Sequence, residues 1–119
     1  SIKEQAFSGT IAQRALAEYY VDKAFISCRT VSINNGITES TDQWASIRHL
    51  MIERSDKQYL VVDHTKFGQT SFVRICDFDE ITAVITDHPL DAKWHEALRS
   101  KGCAIIDGDE ETPVPELLG

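Results

Sequence analysis

The residues best suited to chemistry in this sequence lie in one short run, Asp63-His-Thr-Lys-Phe-Gly68, directly after an apolar stretch. Asp63 can accept hydrogen bonds from backbone amides or from ligand hydroxyls, and Thr65 supplies a hydroxyl group. Lys66 is a mobile positive charge suited to a phosphate, and Gly68 permits a tight backbone turn. These residue types favour a phosphate-binding loop. Spacing alone also allows an ordinary turn with a solvated lysine.

A second group of candidate residues lies further towards the N-terminus. Arg29, in the run Cys28-Arg-Thr30, can form a bidentate contact with a phosphate or carboxylate, and Gly36-Ile-Thr38 adds a hydroxyl to the same loop. Ser8-Gly-Thr10 stands at a predicted helix start, where small residues form a weak anion site. A solvent-facing loop and plain helix capping are the alternative interpretations. The candidate ligand-binding residues are Gly9, Thr10, Cys28, Arg29, Thr30, Gly36, Thr38, Asp63, Thr65 and Lys66.

Apolar periodicity places these candidates on alternating strands and helices. The predicted helices are residues 8–20, 41–55 and 91–101, and the predicted strands are 23–28, 59–63, 71–76, 81–86 and 103–107. This order predicts an α/β domain with a mostly parallel sheet flanked by helices. Ligands of such sheets bind at the carboxyl ends of the strands, where the candidate loops stand.

Local signals refine this outline. Residues 29–39 are predicted to be a polar loop, because Asn34-Asn-Gly36 is a strong turn signal. Ser40 or Thr41 is the expected N-cap of the second helix. The run from Tyr59 to Val62 is continuously apolar, which is typical of a strand covered on both faces. An apolar stripe on the second helix is expected to pack against the sheet, and it consists of Trp44, Ile47 and Met51.

The composition excludes several classes of function. With 119 residues, of which 42% are hydrophobic, the chain fits one globular domain. Its 12 basic and 19 acidic residues give a net charge of −7, which opposes direct binding to nucleic acid or to an anionic membrane. No apolar run approaches the length of a membrane span, and no signal peptide is recognisable. The chain begins without methionine, so we expect a fragment of a longer protein.

Neither a metal, a cofactor nor a catalytic residue is predicted. The four histidines fit no metal-ligand spacing, and Asp91 and His95 are expected to form a surface pair on one helix. No phosphate-binding Walker loop, GxGxxG fingerprint or GxSxG elbow occurs. The odd number of cysteines and the absence of CxxC indicate buried free thiols in a reducing cytoplasm, namely Cys28, Cys76 and Cys103.

The sequence resembles the C-terminal sensor domain of the DeoR family of bacterial sugar-metabolism repressors. The resemblance rests on short runs that fall in the family's order over nearly the whole chain to about Asp107. The matching runs are Phe7-Ser-Gly-Thr with Ala15-Leu16, Val21-Asp-Lys-Ala-Phe-Ile26, Gly36-Ile-Thr38, Ile47-Arg-His-Leu-Met-Ile52, Asp63-His-Thr-Lys-Phe-Gly68 and Ile85-Thr-Asp87.

The resemblance implies a Rossmann-like fold, related to ribose-phosphate isomerase and glucosamine-phosphate deaminase. It also implies a sensor that binds a phosphorylated sugar without turning it over, with Lys66 at the phosphate or a sugar oxygen. Asp63, Arg29, Thr30 and Thr38 would line the pocket. The run Cys28-Arg-Thr30 departs from the smaller glycine-containing turn usual in the family, because it is bulkier and more basic.

The resemblance further implies how the domain is divided and assembled. Residues 1–107 would form the sensor domain, without the family's upstream phosphate loop, and residues 108–119 an acidic tail. Operator DNA would be bound only by a winged helix-turn-helix that this chain lacks, and a homo-oligomer is expected. Two other functions remain open, namely a sugar-phosphate isomerase or deaminase and an oligomerisation domain with a vestigial pocket.

Overall fold

The computed structural model describes Ile11, Arg14 and residues 18–109 of the chain. The predicted first helix, with the candidates Gly9 and Thr10, falls largely outside the described residues, as does the tail from residue 110.

A four-stranded parallel sheet forms the centre of the fold, as the alternating apolar runs predict. Its strands, in the order β1-β4-β6-β7, are β1 (Val21–Ile26), β4 (Ser55–Val61), β6 (Ala83–Ile85) and β7 (Ala104–Ile106). Leu60, Val84 and Ile105 lie side by side on three neighbouring strands, and all three are buried. Their apolar contacts stabilise the face of the sheet that forms the main core.

The prediction of a polar loop at residues 29–39 is wrong, because most of these residues belong to a second, antiparallel sheet. It contains β2 (Thr30–Ser32), β3 (Gly36–Glu39) and β5 (Val73–Cys76), in the order β2-β3-β5. The predicted turn closes the β2–β3 hairpin, and Gly36 has a φ of 75°. Strands of three and four residues that carry hydroxyl side chains resemble a loop in sequence. β5 was predicted to begin near Ser71, but it begins two residues later.

Two helices pack on this framework close to their predicted positions. They are α1 (Asp42–Glu53) and α2 (Ala92–Ser100), and both contribute to the same apolar core. Thr41 is the N-cap of α1, because its hydroxyl accepts a hydrogen bond from the Trp44 amide at 3.2 Å. Of the residues that the structure describes, neither helix combines the length and the apolarity needed to cross a bilayer.

Because Thr41 is the cap, alanine substitutions at the adjacent residues Ser40 and Thr41 should differ in their effect on stability. Replacing Thr41 with alanine should lower the free energy of unfolding by about 1 kcal/mol, because the Trp44 amide loses its acceptor. Urea denaturation would measure this loss. Ser40→Ala serves as the control and should change stability by less than about 0.5 kcal/mol. Equal losses for the two variants would contradict the assignment of the cap.

The predicted apolar stripe of α1 is only partly buried. Ile47 is buried and Met51 packs against the core, but Trp44 is 40% exposed. The guanidinium of Arg48 lies 5.1 Å from the centre of the Trp44 ring, a typical distance for a cation–π contact. The expectation that Trp44 packs against the sheet is therefore wrong, since the ring lies at the surface beside an arginine.

The other face of the parallel sheet is covered unevenly. Tyr59 is fully buried and stacks on Phe25, with ring centres 5.1 Å apart, but Phe25 itself is 55% exposed. Val61 is also half exposed, so the apolar run of β4 is not covered throughout as the sequence predicted.

Candidate functional site

The carboxyl ends of the parallel strands bring most of the predicted binding residues to one edge of the sheet. Cys28 follows β1, and an aspartate follows each of the other three strands. These aspartates are Asp63 after β4, Asp87 after β6 and Asp107 after β7. Because parallel strands end on the same side, their loops contact one another there.

The loop from Asp63 to Gly68 begins with a single 3-10 turn, His64–Lys66, which Asp63 caps. Oδ1 of Asp63 accepts hydrogen bonds from the Thr65 amide, at 2.9 Å, and from the Thr65 hydroxyl. The hydroxyl bond, the amide bond and the charge of Lys66 together lower the pKa of Asp63. Asp63 is therefore an anion at neutral pH, with one oxygen already used inside the loop.

Four further contacts anchor this loop to its surroundings. The His64 amide donates to Asp87 Oδ1 at 2.7 Å, and His64 Nδ1 lies 2.9 Å from Asp87 Oδ2. Phe67 packs edge-on against Trp94, with ring centres 4.9 Å apart, and the Gly68 amide donates to the Val31 carbonyl at 2.8 Å. The backbone that carries Lys66 is therefore fixed on both sides.

Lys66 is half-buried and forms no ion pair with any described residue. Its positive charge lowers the pKa of Asp63, which follows β4, and of Cys28, which follows β1. Burial, with a smaller contribution from Glu39, raises the pKa of the Cys28 thiol to about 12, although Arg48 and Lys66 oppose it. Cys28 is therefore a neutral thiol and not a nucleophile.

The other sequence candidates differ in how accessible they are. Arg29 is exposed, and within the described residues its guanidinium has no ion-pair partner. Thr30 and Thr38 are buried, with their hydroxyl oxygens 2.6 Å apart, and the Ser71 amide donates to Thr38 at 2.9 Å. These hydroxyls therefore hold the hairpin together. Gly36 lies at the turn end of the hairpin, against the backbone of the β5 end.

Sequence reasoning missed Arg48, which reaches the same edge from α1. Its Nε donates to the Ser27 carbonyl at 2.8 Å, and its Nη2 lies 4.0 Å from a carboxylate oxygen of buried Glu39. The available signal was its position four residues after Trp44, which places a cation over the indole ring. Arg48 adds a third basic group to this edge, beside Arg29 and Lys66.

The predicted surface pair of Asp91 and His95 is wrong. Asp91 caps α2 by accepting from the Trp94 amide at 3.0 Å, whereas His95 Nε2 lies 3.1 Å from Oδ2 of buried Asp107. Asp107 also accepts from the Leu90 amide at 2.9 Å. His95 and Asp107 are twelve positions apart and belong to different elements, so helical spacing could not predict their contact.

Two concave regions lie away from this edge. One, of about 490 Å³, lies between α1 and β5, and the other, of about 360 Å³, lies between α2 and the segment around Phe78. None of the described candidate residues lines either cavity.

Comparison with known proteins identifies the family. Residues 1–88 match the sequence model described as the DeoR C terminal sensor domain. The chain belongs to the DeoR family. The DeoR match includes the loop at Asp63 and ends at the loop after β6, although α2 and β7 continue the same core and sheet.

Curated proteins similar to this DeoR-family chain are transcription regulators. The HTH-type transcriptional regulator YulB of Bacillus subtilis is 36% identical over 83% of the chain and 38% of its own length. The HTH-type transcriptional regulator GlpR of Haloferax volcanii is 31% identical over 89% of the chain and 42% of its own length. The L-fucose operon activator of Haemophilus influenzae is 31% identical over 76% of the chain and 36% of its own length. The chain thus spans about two fifths of the length of these relatives.

Proposed function

We propose that this DeoR sensor domain binds a phosphorylated sugar, or a similar anionic metabolite, at the carboxyl edge of its parallel sheet. The observation that carries the proposal is Lys66, a half-buried cation without an ion-pair partner among the described residues, on a loop fixed at both ends. A preorganised charge of this kind binds an anion without the cost of ordering the loop. The name of the L-fucose operon activator supports a sugar as the class of ligand.

Each charged group at the edge has a distinct role in this proposal. Lys66 forms a charge-assisted hydrogen bond to a phosphate oxygen, and Arg29 offers a fork that can hold two oxygens. The second carboxylate oxygen of Asp63 accepts from a sugar hydroxyl, because Thr65 occupies only the first. Thr30 and Thr38 support the hairpin beside the ligand.

The anchoring contacts suggest how binding is transmitted. Gly68 connects the loop to β2, and His64 connects it to the loop after β6. A ligand that prefers one position of Lys66 therefore favours one arrangement of all three segments. We infer that this change is passed to a DNA-binding domain in the whole regulator, and that the sensor catalyses no reaction. The relatives, which are regulators, support that inference.

Replacing Lys66 with alanine should remove most of the stabilisation produced by the ligand. A ligand at 100 times its Kd stabilises a protein by about 2.7 kcal/mol, and loss of a charged hydrogen bond costs about 1.5–3 kcal/mol of affinity. A thermal-shift screen of the chain against a panel of sugar phosphates would identify the ligand, and the same assay would then compare the variants.

Lys57→Ala is the matched control, because Lys57 is also a half-buried lysine of the β4 region but lies near the start of that strand. It should keep the full shift. If the ligand produces the same thermal shift in Lys66→Ala as in the parent, Lys66 does not contact the ligand. Absence of a shift with every sugar phosphate would favour the vestigial pocket, and formation of a product would favour the enzyme.

A further inference from the structure

A cluster of two imidazoles and one carboxylate lies at the same edge, and none of its side chains is assigned a contact with the proposed sugar ligand. It consists of His64, Asp87 and His88, all exposed, and one potential ligand atom from each lies within 4.8 Å of the other two. The rings of His64 and His88 have centres 4.1 Å apart. We propose that these three residues bind a divalent transition metal ion such as Zn²⁺.

The ligand types and their spacing fit that class of ion. Zn²⁺ is bound by histidine nitrogen and carboxylate oxygen at about 2.0–2.2 Å, which separates tetrahedral ligands by about 3.4 Å. His64 Nδ1 and Asp87 Oδ2 are already 2.9 Å apart, so only a small movement of the side chains is needed. Two imidazoles favour zinc, nickel or copper over calcium and magnesium, which prefer oxygen ligands.

The backbone around the cluster is fixed before any ion binds. Asp87 Oδ1 accepts from the His64 amide, which holds the two loops together and leaves Oδ2 facing the imidazole. Pro89 follows His88 directly and restricts its backbone to extended conformations. Three protein ligands leave at least one coordination position for water or another small ligand, as in open zinc sites.

The other histidines with acidic partners show what distinguishes this cluster. His49 Nδ1 lies 3.3 Å from Glu53, and His95 Nε2 lies 3.1 Å from Asp107. Among the described residues, no third potential ligand completes either pair into a metal-binding group. The ligands of the proposed site come from two loops that are 23 residues apart, which explains why histidine spacing in the sequence gave no such prediction.

Binding of zinc at the cysteines would be a competing outcome, but their chemistry opposes it. Cys28 is half-buried, and Cys76 and Cys103 are buried. Burial raises the pKa of each thiol to about 12, which makes loss of its proton to a metal ion less favourable, and no group of three potential ligands among the described residues includes a cysteine. Zinc binds the thiolate form.

The test is isothermal titration of the tag-free chain with zinc chloride, compared with the variant His88→Gln. The chain should bind one equivalent of Zn²⁺, and the variant should bind at least about tenfold more weakly, since it retains two ligands. Co²⁺ in place of Zn²⁺ should give a visible absorption band that the variant lacks. His88 is the best position to change, because His64 and Asp87 also anchor the loops.

His49→Gln is the matched control, since it removes a histidine that lies beside a carboxylate but outside the cluster, and it should bind zinc like the parent. Lys66→Ala should bind zinc no more weakly than the parent, so failure of the sugar proposal and failure of the metal proposal are distinguishable. The proposal is overturned if binding is not saturable, or if His88→Gln binds zinc as tightly as the parent.

Discussion

Replacing Gly36 with alanine should lower the free energy of unfolding by about 2–5 kcal/mol. Gly36 has a φ of 75°, which costs a residue with a side chain about 1–2 kcal/mol. A Cβ built at this position would lie 2.6 Å from the carbonyl oxygen of Cys76 and 3.1 Å from Asp77 Cα. Both neighbours are backbone atoms, so β3 and the end of β5 must separate, which adds about 1–3 kcal/mol.

Gly102 provides a matched control for this prediction. Its φ is also 75°, but a Cβ at Gly102 would meet no atom within 4 Å. Gly102→Ala should therefore cost only the unfavourable backbone conformation, about 1–2 kcal/mol. Urea denaturation of both variants measures the difference, which isolates the steric contact. Similar losses for the two variants would show that the hairpin can move away from β5 at little cost.

Replacing Asp107 with alanine should lower the free energy of unfolding by about 3 kcal/mol. The carboxylate is buried, and it accepts hydrogen bonds from the amides of Leu90 and Asp109 and from His95 Nε2. Without it, the amide of Leu90 and the imidazole of His95 lose this acceptor, and each unsatisfied group costs about 1–3 kcal/mol. Asp107→Asn keeps one acceptor oxygen and should lose less stability than Asp107→Ala.

The pH dependence of this loss provides a second test. Burial raises the pKa of Asp107, but the hydrogen bonds from Leu90, Asp109 and His95 outweigh burial, so the pKa is lowered overall. A carboxyl whose pKa is lowered by folding stabilises the protein above its unfolded pKa of about 3.9. The stability difference between parent and Asp107→Ala should therefore be constant above about pH 5 and shrink as the pH falls below about 4. A difference that grows in acid would contradict this assignment.

The sequence was sufficient to predict the parts of the fold that depend on local patterns. Short apolar runs indicated the parallel strands, and the turn signal at Gly36 was placed correctly. The strands on either side of that turn were missed, because Thr30 and Thr38 are polar residues that become buried only by pairing with each other. Burial of Trp44 was predicted from the apolar stripe of the helix alone, without considering Arg48 four residues later, whose guanidinium contacts the ring.

For the candidate site, the position of the loop was predictable from the sequence, but its contacts were not. The apolar run before Asp63 was enough to predict that the loop stands at a strand end. The contacts that fix the loop were not predictable, since His64 binds Asp87 from 23 residues away and Phe67 packs on Trp94. Arg48 was missed for the same reason, because its partner Ser27 lies on another element. Pairings between distant segments depend on the tertiary fold, which local spacing does not encode.

In the anchored loop after β4, the residues that fix the position of the loop differ from the residue that is proposed to bind the ligand. The position of the loop depends on the backbone or side-chain contacts of His64, Phe67 and Gly68. In the proposed site, the ammonium offered to a ligand belongs to Lys66, whose side chain makes none of those outward contacts. A substitution at Lys66 would therefore change the preferred ligand while the loop keeps its shape, so related regulators could diverge in specificity without rebuilding the fold.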